Sequence, residues 1–409
     1  MITRKNLLLI VLCPLLVLSA TVSFAADRDF NKVKTIRIGV LAPVEMSGGQ
    51  GVINAAKLAA EEINAAGGVD GKKIEIVVGD TESKPEKGIT AVKKLVLDDK
   101  VDVLVGEYNS GVALAIQPFL PRYRIVFLTT GCASVELTNN VEKNYAQNKY
   151  FFRDMINSDR MIERTFQFAK AFVHDKLGYS KFAILAENAV WTEDFSTVLK
   201  KELEGAGMQI DFNERFDVDL KDFSPVFTGI KSSGAEWIIH VVSHAASIPL
   251  VKAWRESEAA PLGGANVLSM DHKFWGVTGG ACLYEVNYNM IAKAPLTDKT
   301  IPFWDSYEKH FGTNPVFTSP FTYDSVYMMA QVIKEKKSLK TEDIIKGLEN
   351  IDYHGVLHPH TGFDKKTHDL LEDRYVLAFV QWQEGGKQVV IYPTEFKTGE
   401  YIKPAWWRK

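Results

Sequence analysis

Between residues 35 and 138, short apolar runs alternate with segments of helical spacing, and this alternation constrains the fold more than any other feature. Thr35 to Leu41 (TIRIGVL) reads as a strand, followed by a glycine-rich loop from Pro43 to Gly51. Ala55, Leu58, Ala59, Ile63 and Ala66 then recur at helical spacing until Gly67-Gly68 closes the helix. Asp70-Gly71 turns the chain into an alternating strand, Lys73 to Val78, and a second amphipathic helix forms around Ile89, Val92 and Val96. Two further apolar runs follow, Val101 to Val105 and Ile125 to Leu128. Strand and helix at this pace predict right-handed βαβ units around a parallel sheet.

The pattern restarts after residue 153. Helices are expected around Ile162 to Val173, Phe195 to Leu203, Pro225 to Lys231 and Ile248 to Trp254. Strands are expected at Phe182 to Leu185, Ile210 to Phe216, Trp237 to Val242 and Asn266 to Ser269. A chain of 409 residues exceeds one ordinary core. The fold class is therefore α/β, with two similar Rossmann-like lobes built on mainly parallel sheets.

Residues 101–138 carry the most suggestive chemistry. The first run stops at Gly106, and Ser110 is placed to cap a helix from about Val112 to Phe119. The second ends at Thr129-Thr130-Gly131, with another capping candidate at Ser134. Two helix N-termini would then lie side by side at the carboxyl ends of adjacent strands. Free N–H groups and the positive ends of helix dipoles favour an anion there. Gly48-Gly49-Gln50-Gly51 fits neither G-x-G-x-x-G nor the P-loop pattern, which argues against a nucleotide.

Residues 1–25 read as a secretory signal peptide. Arg4-Lys5 precede an apolar run from Leu7 to Leu18, and Ser23-Phe24-Ala25 supplies small residues at −3 and −1 of a cleavage site. Export to a periplasm is expected. Removing this leader, with its two cations and no acid, takes the net charge from −3 to −5, which offers no footprint for nucleic acid. Cys132 and Cys282 remain, and an oxidising compartment permits them to pair; the other reading is two separate, partly buried thiols. No G-x-S-x-G elbow, H-E-x-x-H or zinc-spaced cysteine pair is present, so neither an enzyme nor a cofactor is expected. His354, His358 and His360 are the nearest approach to a metal cluster, at loose spacing.

Across nearly the whole mature chain, motifs follow one another in a familiar order: IGVLAP, NAAKLAAEEINAAGGVDGKKIEIVVGDTESKPEKGITAVKKL, GEYNSGVALAIQPFL, SVELT, DFSPVFTGIKSSGAEWII, SPFTYDSVYMMAQVI and TGFDKKTHDLLEDRYVLAFVQWQEGGKQVVIYP. In this order the chain resembles the type I periplasmic binding proteins, the branched-chain amino acid (Leu/Ile/Val) binding family of ABC importers. The resemblance implies a Venus-flytrap of two lobes joined by three hinge crossings, placed near Phe152, Ala292 and Tyr353. Lobe 1 would comprise residues 26–152 plus 293–352, and lobe 2 residues 153–292 plus 353–409.

It also implies site residues. Ser110 falls on the family's serine, and Gly131 and Ala133 on the second loop that holds an α-carboxylate. Threonine is usual at Ala133, so one hydroxyl is missing, and Ser134 or the Ala133 N–H would compensate. Trp191 stands where relatives have a tyrosine, and Ser243-His244 where they place another aromatic. Asp271 stands where an acid pairs with the ligand ammonium. Tyr108, with Phe274 and Trp275, would make the pocket aromatic; Glu45 and Gln50 are further candidates. Each has a plainer reading: Ser110 as a helix cap, Trp191 as a buried structural ring, His244 as a core or solvated residue, and Asp271 as a cap or exposed acid. The implied function is capture of a small ligand, an amino acid or related carboxylate, by a monomer that delivers it to a membrane ABC permease. The alternatives are a ligand-sensing subunit of a regulator or receptor, binding of an aromatic acid or amide, and a periplasmic hydrolase.

Overall fold

The computed structural model describes residues 28–193, 195–291, 293, 295–371 and 377–409. The predicted signal peptide and the crossing expected at Ala292 lie outside the described residues. The first sheet contains β1 (Thr35–Ala42), β2 (Lys73–Asp80), β3 (Val103–Gly106), β4 (Phe127–Thr129) and β5 (Phe151–Arg153), in the order β2-β1-β3-β4-β5 and parallel throughout. The second contains β6 (Lys181–Glu187), β7 (Gln209–Phe216), β8 (Trp237–Val242), β9 (Gly263–Asn266), β10 (Val286–Asn289), β11 (Ala378–Gln383) and β12 (Lys387–Tyr392), in the order β12-β11-β10-β9-β8-β6-β7. It is parallel from β7 to β10, whereas β11 runs antiparallel to both its neighbours.

The strand sequences follow from burial. Every residue of β3 and β8 is buried, because helices cover both faces of a parallel sheet, and both read as near-continuous apolar runs. At the edge, β7 alternates exposed and half-buried positions from Gln209 to Asn213 and ends on the buried Phe216. The chain crosses between the sheets three times: after β5, after β10, and again before β11. Between the last two crossings, helices Thr300–Phe311, Thr318–Lys336 and Thr341–Leu348 return to the first lobe, where Phe303, Val326, Met329 and Ile344 join its core. Tyr353, Val356 and Phe363 also belong to that core. Among the described residues no helix is long and apolar enough to cross a membrane.

Two sequence expectations change. Pro43 to Gly51 is not a loop throughout, since α1 (Ser47–Ala65) begins within it. Its glycines serve close packing. A Cβ on Gly51 would stand 2.1 Å from Val316 Cγ2, and Thr318 Oγ1 donates to the Gly48 carbonyl at 2.7 Å. The strand expected at Asn266 to Ser269 instead ends at Asn266, and Leu268–Met270 forms a 3-10 turn. Asn266 causes the change, because its side-chain oxygen accepts from Ser269 N at 3.3 Å and Ser247 Oγ at 2.7 Å.

The cysteines are separate. Cys132 lies in the first core and Cys282 in the second, both free and fully buried rather than partly so.

Candidate functional site

Residues that follow β3, β4, β6, β8 and β9 line one chamber between the lobes. It leaves about 60 Å³ to the centres of water-sized spheres, room for about four to six waters and hence for a small organic molecule.

On the first lobe, the helix after β3 is α3 (Ser110–Ile116); α2 (Pro85–Leu97) precedes that strand. Its cap is Asn109, not Ser110: the Asn109 side-chain oxygen accepts from Gly111 N at 2.9 Å and Val112 N at 3.3 Å. Asparagine one residue earlier takes both N–H groups, so the Ser110 hydroxyl is not spent on capping. Ser110 Oγ accepts from Ser134 N at 3.2 Å and keeps its proton to donate. The main-chain N–H groups of Gly131 and Ala133 have no acceptor among the described residues, and both residues line the chamber. Gly131 is required by a close approach, since a Cβ there would stand 2.2 Å from Tyr108 Cβ. Ser134 does not line the chamber: its N–H goes to Ser110 and its hydroxyl accepts from Glu136 N at 3.3 Å.

Two buried charged groups shape this wall. Glu107 has a left-handed backbone, φ 56°, and its Oε1 accepts from Tyr108 N at 2.9 Å and Asn109 N at 2.8 Å. Burial pushes its carboxyl above the usual range, although these N–H groups oppose the shift. Arg153, at the end of β5 and fully buried, forms a fork with Asp369 through Nε at 2.8 Å and Nη2 at 2.5 Å. Its Nη1 donates to the carbonyls of Cys132 at 3.3 Å and Ser134 at 2.6 Å. By holding those carbonyls from behind, Arg153 fixes the peptide orientation of the loop that presents the free N–H groups.

On the second lobe, Trp191 Nε1 donates to Ser243 Oγ at 2.9 Å, and Ser243 donates in turn to Glu187. Glu187 ends β6 and also meets His244 through Nδ1 at 2.9 Å and the main-chain N at 3.1 Å. Burial works against its carboxylate, but the hydrogen bond and charge of His244, with the Ser243 donors, hold it below the usual range. Trp191, Ser243 and His244 line the chamber; Glu187 lies behind them, fully buried. Tyr108, Tyr288 and Phe317 add apolar wall, together with Met155, Met161 and Met290.

The chain of the first lobe matches the sequence profile of the periplasmic binding proteins, and the match runs through the second, over residues 35–387. The chain belongs to the periplasmic binding protein family. The "Leu/Ile/Val-binding protein homolog 1" of Brucella abortus (strain 2308) is 22% identical over 373 residues, covering 90% of this chain and 95% of that protein. Among solved structures, the branched-chain amino acid transporter substrate-binding protein LivJ of Streptococcus pneumoniae, in complex with isoleucine, superposes with a TM-score of 0.74 at 22% identity, covering 91% of this chain and 100% of LivJ. The solute-binding protein of an ABC transporter from Rhodopseudomonas palustris HaA2, in complex with p-hydroxybenzoic acid, superposes with a TM-score of 0.75 at 19% identity, covering 91% and 98%. The recognition of the type I, branched-chain amino acid binding fold thus stands.

Within this periplasmic binding protein, the chamber gathers Tyr108, Ser110, Gly131, Ala133, Trp191 and His244. Asp271 is not among them. The early end of β9 carries it past the 3-10 turn into an outer groove that adjoins the chamber and shares Met46, Tyr108, Ser243, His244, Val267 and Phe317 with it; there it accepts from Ser47 Oγ and from Lys273 N at 2.9 Å. Ser47 belongs to α1, so this bond joins the two lobes at the cleft mouth. Phe274 and Glu45 line the same outer groove. Trp275 packs on Trp382 at 6.1 Å, and Gln50 is turned to the Val44 carbonyl at 2.6 Å.

The three histidines of the loose cluster have separate partners: His354 with Asp298, His360 with Asp352 at 3.1 Å, and His358 with the His360 carbonyl at 2.8 Å. Among the described residues, no group of three His, Cys, Asp or Glu side chains is assembled for a metal. Sequence reasoning missed Asn109, Arg153 and Glu187. A charged residue closing an apolar strand, as in Phe151-Phe152-Arg153 and Ala186-Glu187, was the available signal.

Proposed function

We propose that this protein is a periplasmic receptor that captures a small carboxylate, an amino acid or related acid, between two closing lobes and presents it to an ABC permease. The observation that carries this reading is the set of unpartnered donors on the first lobe. Gly131 N–H, Ala133 N–H and the Ser110 hydroxyl converge on a chamber whose other wall is Trp191, Ser243 and His244. Charge-assisted hydrogen bonds to such donors are strong in a dry site. Micromolar affinity would require about 8 kcal/mol.

The lobes are taken as residues 26–152 plus 293–352 and 153–292 plus 353–409, except that the third crossing is moved from Tyr353 to beyond Phe363, because Tyr353, Val356 and Phe363 pack in the first core; the receptor is taken as a monomer, and its location as the periplasm after removal of residues 1–25. Closure needs ligand contacts that exist only in the closed form, because equal affinity for both forms shifts nothing. The second-lobe wall supplies them. The isoleucine bound to LivJ and the p-hydroxybenzoic acid bound to the R. palustris protein both carry a carboxylate, which supports this choice of ligand class.

Titration calorimetry of small carboxylates against the wild type and Ser110→Ala tests the reading. The variant should bind at least about 10-fold more weakly, the loss of one charge-assisted hydrogen bond. Equal affinity would remove Ser110 from the site, and binding of neutral amides alone would overturn the carboxylate assignment.

A further inference from the structure

Resting on the carboxylate reading, which accounts for the first-lobe end of the chamber, we propose that Glu187 is a positioning residue for the second-lobe end: it fixes the tautomer of His244, so that His244 Nε2 is a hydrogen-bond acceptor for the ligand. The ligand then carries a donor, an amino or hydroxyl group, as well as its carboxylate.

The proton positions follow from the chemistry of four side chains. An indole nitrogen can only donate, so the Trp191 Nε1 bond at 2.9 Å uses a lone pair of Ser243 Oγ. Ser243 has one proton, and it goes to Glu187 Oε1. His244 Nδ1 then faces two oxygens that offer it no proton, Glu187 Oε1 at 2.9 Å and Ser243 Oγ at 3.1 Å. A bare ring nitrogen at those distances would meet lone pairs, so Nδ1 carries the hydrogen. Burial works against charge on Glu187, yet its contacts with His244 and Ser243 hold the carboxyl below the usual range, which keeps it an acceptor. The main-chain N of His244 donates to the other carboxylate oxygen at 3.1 Å, so one buried side chain grips both the backbone and the ring of His244.

In a neutral imidazole one nitrogen donates and the other accepts, so Nε2 keeps its lone pair. Nδ1 is turned to Glu187 behind the wall, and Nε2 has no protein partner among the described residues, although His244 lines both the chamber and the adjoining groove. The other ionisable groups on these walls are Tyr108, which lines both, and Glu45, Asp271 and Lys273 in the groove. The chamber therefore has two unlike polar ends. The first lobe offers the donors of Ser110, Gly131 and Ala133, the second offers an acceptor, and methionine and aromatic carbon lie between. A carboxylate that also bears a donor satisfies both ends, whereas one without it leaves Nε2 unpaired and loses affinity.

Two measurements on the mature chain at pH 8 test the assignment. Heteronuclear NMR of ring-labelled histidine, with His244→Phe to identify the signal, reads the tautomer directly. His244 should be protonated at Nδ1 and bare at Nε2, and Glu187→Gln, which replaces one acceptor oxygen by a donor, should mix the two tautomers. A wild-type ring protonated at Nε2 or at both nitrogens, or an unchanged tautomer in Glu187→Gln, overturns the inference. Titration calorimetry then compares acids that differ by one donor group: isoleucine with 3-methylpentanoate, 3-phenyllactate with 3-phenylpropanoate, and 4-hydroxybenzoate with benzoate. In at least one pair the donor-bearing acid should bind about 10-fold tighter, and in His244→Phe that ratio should fall below about 3. His244→Phe removes the acceptor without disturbing the buried Glu187, so the ratio decides even where Glu187→Gln fails to fold. A ratio that survives in His244→Phe, or equal affinities in every wild-type pair, overturns this inference and leaves the carboxylate reading standing. Binding of none of the acids overturns both.

Discussion

Replacing Arg153 by methionine should be the most informative single change in this protein. The guanidinium is fully buried and makes five hydrogen bonds: two to Asp369, two to the Cys132 and Ser134 carbonyls, and one to Thr138 Oγ1 at 2.9 Å. Removing one partner of a buried ion pair costs about 3–5 kcal/mol. The low end applies, because Asp369 keeps Asn157 Nδ2 at 2.9 Å and Leu370 N at 3.0 Å. The two carbonyls left unpaired cost about 1 kcal/mol each at least. The variant should therefore lose about 5 kcal/mol, a large part of a stability typically about 5–15 kcal/mol.

Guanidinium denaturation followed by tryptophan fluorescence measures this directly. Arg153→Met combined with Asp369→Leu removes the stranded charge and should recover about 3 kcal/mol, leaving the carbonyl cost. Ligand affinity should not recover with stability, since the loop from Gly131 to Ser134 still lacks its brace. A single variant that loses less than about 1 kcal/mol, or a double variant as unstable as the single, would refute this account of Arg153.

Three further outcomes are expected. Asp271→Ala should weaken all ligands by a common factor of about 5, since the Ser47 bond at the mouth biases closure and touches no ligand; selective loss of an ammonium-bearing ligand would return Asp271 to the site. Burial raises the carboxyl of Asp324 to about 7 while Val356 N and Tyr353 Oη donate to it. The native state then holds a proton that the unfolded chain releases near pH 3.8, so stability falls as pH rises from about 4 to about 7. Asp324→Asn should lose less Tm than the wild type between pH 5 and pH 8, and parallel melting curves would refute the shift. Gly51→Ala should cost about 1–3 kcal/mol by overpacking against Val316, whereas Gly276→Ala, with nothing within 4 Å of the added carbon, should leave Tm within a few degrees of wild type.

Several elements were legible because their cause is local. The run Trp237–Val242 is apolar at every position except His240, as a strand covered on both faces must be, and the structure returns those bounds. Gly67 and Gly68 both take positive φ, which is why they stop α1. The charge of an isolated residue was far less informative. Glu187 and Asp271 are both acids near strand ends, yet one is buried behind the chamber and the other lies in the outer groove.

By itself the sequence determined the two parallel-sheet lobes, their order along the chain, and the placing of Ser110 and of Thr129-Thr130-Gly131 just after two successive strands, whereas Ala133 entered only through the family resemblance. Periodicity and strand adjacency fix these through interactions of short range. Only the tertiary structure decided that Asn109 frees Ser110, that Arg153 orients the loop from behind, and that Asp271 leaves the chamber. Each depends on which distant atom is within hydrogen-bond reach. The partners of Arg153 at Asp369 and of Asp271 at Ser47 lie more than two hundred residues away in sequence.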